Sequence, residues 1–141
     1  MLTDLVIANM SDAEAIAADG PHTGNWPRLE FKNLDNKAVA DLLSALSAEE
    51  DAAALRGEGC LVYQQSGEGP WVFQLPTSLA VLLAKTTDEQ TRSISDRWAS
   101  GEAVAFLGAR GADLEPVVRQ LCNFSRQAVA ANKPLLLWMS L

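Results

Sequence analysis

One histidine, two cysteines and one tyrosine in 141 residues leave little material for metal or nucleophilic chemistry at recognisable spacing. Cys60 and Cys122 are far apart, with no C-x-x-C pair, and each sits beside apolar residues ("CLVY", "VVRQLCNF"). Both read as small buried side chains rather than a disulfide or half a zinc site. With His22 alone, a Ser-His-Asp or Cys-His arrangement has only one place to start, and no G-x-S-x-G is present. "GARGAD" at 108–113 lacks the lysine and hydroxyl of a phosphate loop and the third glycine of a dinucleotide fingerprint. The acids "EED" at 49–51 fit the first turn of a helix better than a cation site. The expectation is therefore no catalytic residue, no metal and no cofactor.

Long hydrophobic runs are also missing. None approaches the roughly 20 residues of a membrane span. "DLVIANM" is too short for a secretion signal and begins with an acid where such a signal is basic. A cytoplasmic location is the expectation. Positive charge is scarce in one half: residues 1–70 carry 12 acids and 4 bases, residues 71–141 carry 6 and 7. Phosphate backbones and anionic membranes both need cations, so nucleic acid and membrane surfaces are disfavoured as partners. The acidic half suits a basic protein partner, or simply solvation.

What is present is the pattern of an ordinary globular domain. Hydrophobic residues make up 48% and charged residues 21%; that is too apolar for a disordered chain. No linker or repeat divides it, so residues 1–141 are expected to form a single domain. Apolar spacing predicts about six helices. The clearest places Val39, Leu42, Leu43 and Leu46 on one stripe. The longest runs from Asp113 to Asn132, with Pro116 in its first turn and Asn132 in a left-handed cap. Capping-box spacings occur at Ser11/Glu14, Ser47/Glu50 and Thr87/Gln90.

Three segments read as strands: residues 4–9, and the runs 60–65 and 71–75, which flank the turn "SGEGP" as a hairpin. Residues 102–112 fit strand, helix or loop equally. The ending "KPLLLWMSL" follows a helix stop and is too short and too evenly apolar for a surface helix. It reads as a strand over 135–141, buried on both faces at the centre of a sheet. The predicted class is α+β: a small sheet holding the 60–75 hairpin and the C-terminal strand, covered by the helices.

The segment "PHTGNWPRLEFKNL" reads as a loop. It gathers His22, Asn25, Trp26 and Arg28, residue types that recur where proteins bind partners or ligands. The plainer reading makes His22 an exposed loop side chain and Trp26 a lid folded back on the core.

"WPRLEFKNLD", "PWVFQLP" and "KPLLLWMSL" together resemble a set of small bacterial proteins of similar length. These combine a loop Trp-Pro, a W-V-F-x-L-P segment and an apolar C-terminal strand. The resemblance implies a bacterial source and one domain, and no activity. The functional expectation is a non-enzymatic protein of immunity or adaptor type that binds a partner through its acidic half. The alternative is a small-molecule-binding protein or enzyme with a pocket at the 21–32 loop. The four loop residues are the candidates for either.

Overall fold

The computed structural model describes all residues 1–141. Five strands form one antiparallel sheet in the order β2-β1-β5-β4-β3. They are β1 (Leu2–Ile7), β2 (Arg28–Lys32), β3 (Leu61–Gln64), β4 (Trp71–Gln74) and β5 (Leu135–Ser140). The C-terminal strand takes the central position. It pairs with β1 over six residues, Leu2↔Ser140 to Ile7↔Leu135, and with β4 from Trp71↔Met139 to Gln74↔Leu136. Residues Leu135 to Met139 are all buried, so the evenly apolar sequence is explained by two covered faces.

Successive side chains on a strand point to opposite faces, so the register sorts the sheet into two sides. One carries Leu5, Ile7, Phe73, Leu135, Leu137 and Met139, with Leu29 and Phe31 packed at its edge. Six helices cover it: α2 (Asn36–Ala45), α3 (Glu49–Arg56), α4 (Thr77–Ala84), α5 (Thr91–Ala99), α6 (Glu102–Phe106) and α7 (Gly111–Ala131). Val39, Leu42 and Leu43 lie in this core as their spacing predicts. Trp98 is fully buried there, and its indole Nε1 donates to the carbonyl of Ala38 at 2.9 Å, fastening α5 to α2.

The other side is covered by one short helix, α1 (Ala13–Asp19), entered through a 3-10 turn at Met10–Asp12. Ala13, Ile16 and Ala17 pack on Val6, Val72, Leu136 and Trp138. Seven helical residues cannot span five strands, and on this side the edge strand β2 stays open, with Arg28 half-buried and Glu30 and Lys32 exposed.

Several sequence expectations need correcting in detail. The segment 28–32, expected as loop, is the edge strand β2, where Leu29 and Phe31 alternate with Arg28, Glu30 and Lys32. The first strand spans 2–7 rather than 4–9. The undecided segment 102–112 supplies α6 and the start of α7, and the α-helices number seven. The capping boxes at Ser11 and Ser47 do not form: Asp12 and Ala48 hold the N-cap positions without side-chain bonds. At Thr87 only the reverse half is made, its N–H donating to Gln90 Oε1. Asn132 does end α7 in the left-handed conformation, with φ 53°. Cys122 is buried and Cys60 half-buried, and both are free.

The central position of β5 has a direct consequence. Each fully buried large apolar side chain contributes roughly 1.5–3 kcal/mol. Removing residues 135–141 takes away five of them, against a typical domain stability of about 5–15 kcal/mol. The truncated chain is expected to be unfolded or insoluble by circular dichroism and gel filtration. A soluble monomer that melts cooperatively would contradict the central-strand account.

Candidate functional site

The partly covered side of the sheet carries a polar row. Asp4 on β1 lies opposite Glu30 on β2 and opposite Trp138 on β5, so Glu30, Asp4 and Trp138 stand side by side on one face. Arg28, two residues before Glu30, shares that face. Its Nη1 donates to Asp4 Oδ2 at 3.3 Å and also to Glu30 Oε1. His22 reaches the row from the loop after α1, with Nδ1 3.6 Å from Glu30 Oε1. The coordinating atoms of Asp4, His22 and Glu30 all lie within 4.8 Å of one another.

Burial divides this cluster. Asp4 is only 3% exposed, while His22 and Glu30 are open to solvent. Burial pushes the Asp4 carboxyl above its ordinary value, and the nearby His22 and Arg28 only partly counter it. The hydrogen bond from Arg28 holds Glu30 below its ordinary value. Trp138 is 7% exposed and its Nε1 is a buried donor with no acceptor.

Of the four residues singled out in the sequence, the structure brings His22 and Arg28 into one cluster. Trp26 is half-buried and leans on the core under α1. Its ring closes over Gly24, where a Cβ would come within 2.5 Å of it. Asn25 is exposed and makes no side-chain hydrogen bond. Asp4 and Glu30 were missed. Two signals marked them: a lone acid inside the apolar run "LTDLVI", and the strict alternation of "RLEFK", which puts Arg28, Glu30 and Lys32 on one face of a strand.

The principal cavity lies elsewhere. An open groove of about 1240 Å³ runs between α2, the end of α5 and α6. Asp41, 6% exposed, builds its floor. Asp41 Oδ2 accepts the backbone N–H groups of Ala103 and Val104 at 2.9 and 3.3 Å, and Oδ1 accepts from Arg56 Nη2 at 3.0 Å. A carboxylate from α2 thus satisfies the first-turn donors of α6. The approach needs Gly101, where a Cβ would sit 2.6 Å from the Asp41 carboxylate. Met1, Phe106 and Leu107 give the groove an apolar rim, and all three are exposed. None of the three main cavities is lined by residues 21–32.

Nothing in either place forms a nucleophile with its base. Burial raises both cysteine thiols, which keeps them protonated at neutral pH. Comparison of the chain with protein-family models, curated proteins and solved structures finds no match.

Two predictions follow from the geometry. The raised carboxyl of Asp4 means the folded state favours its protonated form. Its stabilising contribution is complete below the ordinary carboxyl value and is lost as pH rises through the folded value. In metal-free buffer at pH 7, Asp4→Asn is expected to melt above the parent chain, with the gap closing below about pH 4. A lower melting temperature for the variant at pH 7 would contradict this. Trp26→Ala removes a half-buried ring and is expected to cost about 1–3 kcal/mol, less than the 3–5 typical of a fully buried aromatic. Chemical denaturation measures it.

Proposed function

We propose that the chain is a non-enzymatic protein-binding module of adaptor or immunity type, and that its contact surface is the groove beside α6. The observation that carries this reading is Phe106, which is 91% exposed at the end of α6. Leaving a phenylalanine in water gains nothing for folding, and aromatic side chains are enriched where proteins bind one another. Met1 and Leu107, 41% and 45% exposed, border the same groove, so the apolar surface is grouped rather than scattered. The groove's volume exceeds the roughly 300–1,000 Å³ common for small-molecule sites, and it is open along its length. That shape suits a protruding segment of a protein better than an enclosed metabolite.

Charge suggests the partner's sign. Of the twelve acids in residues 1–70, only Asp4, Glu30 and Asp41 make ion pairs. The others contribute an uncompensated negative field, consistent with the net charge of −7. Such a field steers a basic protein toward the surface and speeds association. In this reading the acids govern encounter, and Phe106 with Leu107 supplies the anchor.

A photo-crosslinking residue at position 106 tests the proposal in cells of the source organism. A discrete adduct is expected at position 106 and not at position 129, where Val129 is 49% exposed near the C-terminal end of α7. The adduct yield should fall as salt rises. Phe106→Ala should abolish binding of the captured protein without lowering the melting temperature. No adduct, or the same adducts at both positions, would overturn the reading.

A further inference from the structure

We propose that Asp4, His22 and Glu30 form a binding site for a first-row divalent metal ion such as zinc, with Arg28 occupying the carboxylates when no metal is bound. This site is independent of the α6 groove and of the protein-binding reading.

The argument begins with the donor set. Two carboxylates and one imidazole are the side chains that divalent transition metals take from proteins, and the imidazole disfavours magnesium and calcium. The three come from separate places: β1, the loop after α1, and β2. No local sequence motif could have announced them. Their coordinating atoms lie within 4.8 Å of one another. A zinc ion bound at about 2.0–2.2 Å needs its ligands roughly 3–3.5 Å apart, so the set must close by about an ångström or more. His22 sits on an exposed loop, half open to solvent, and can supply that movement. The sheet fixes the other two, since Asp4 and Glu30 are direct cross-strand partners. Three protein ligands leave at least one position for water.

The second line of argument is what surrounds Asp4. It is a buried carboxylate on the apolar side of a sheet, and its only hydrogen bond is the one from Arg28 at 3.3 Å. A carboxylate has about four acceptor sites, so most of this one's capacity has no protein donor. Its neighbour Trp138 carries the chain's one buried, unpartnered side-chain polar atom. Buried polar groups without partners are rare in folded proteins. Here a carboxylate with a single protein hydrogen bond and an indole N–H with none belong to cross-strand partners in the same row. A cation would take up the free acceptor capacity of the carboxylate.

Arg28 distinguishes a metal site from a plain salt-bridge network. Its guanidinium bridges Asp4 and Glu30, where the cation would sit, and its side chain is 31% exposed, with solvent to move into. If the cluster exists to bind metal, Arg28 is a competitor. If the cluster exists to hold the sheet edge, Arg28 is its centre.

Isothermal titration of the untagged, chelator-stripped chain with zinc chloride tests the proposal, with cobalt(II) absorption as a direct readout of ligation. The parent chain is expected to bind one equivalent of zinc and to ignore magnesium at the same concentration. His22→Ala, a change in an exposed loop, should weaken binding at least tenfold and alter the cobalt spectrum. Asp4→Asn should do the same while remaining folded. Arg28→Ala should tighten binding. No stoichiometric binding, binding indifferent to His22→Ala, or weaker binding in Arg28→Ala would each overturn the site. Should Asp4→Asn fail to fold, the His22 and Arg28 variants still decide.

Discussion

The pairing of β5 between β1 and β4 is the constraint on which everything else rests. Without it the sheet is two separate antiparallel pairs, β2-β1 and β4-β3, each too small to be stable in water. With it, Leu135, Leu137 and Met139 close one core and Leu136 and Trp138 the other. Both candidate sites depend on this insertion. The polar row exists because the β1–β5 register sets Asp4 beside Trp138. The groove exists because the sheet gives α2 and α5 a common floor to pack on, and they in turn hold α6.

The two sites illustrate different ways of burying a carboxylate. Asp41 is supplied with two backbone N–H groups and a guanidinium, and it links helices far apart in sequence. That arrangement is complete, and it reads as structure. Asp4 receives one long hydrogen bond from a half-exposed arginine. That arrangement is incomplete, in a region where only one short helix covers the sheet. Proteins tolerate such deficits mainly where something other than stability is served.

How much could be read in advance varied with the range of the signal. The central strand was legible because "LLLWM" is apolar at every position, as a strand covered on both faces requires. The hairpin was legible from a glycine-containing turn between two β-rich runs. The edge strand β2 was not, because Trp26-Pro27 just before it and Asn33 just after it suggested a loop, although its alternation was present. α6 is five residues long, too short for a helical period to show, and its N-terminal donors are satisfied by Asp41 from across the chain. Local sequence has no way to display such a cap. Likewise His22 and Arg28 could be suspected as residue types, but Asp4 and Glu30 join them only through strand pairing.

The order of the strands also governs when the protein becomes itself. Leu2 finds its neighbour at Ser140, so the central ladder is among the least local contacts the chain can make. Non-local pairing slows folding, because a large loop must close before the contact rewards it. As the chain emerges during synthesis, β1 and β4 each wait with an unpaired inner edge until residues 135–140 arrive. Exposed edges of that kind invite pairing with other chains. The same design that gives the finished sheet a fully buried centre therefore leaves the nascent chain with one adhesive edge for nearly the whole of its translation and a second once β4 is made near the midpoint of the chain.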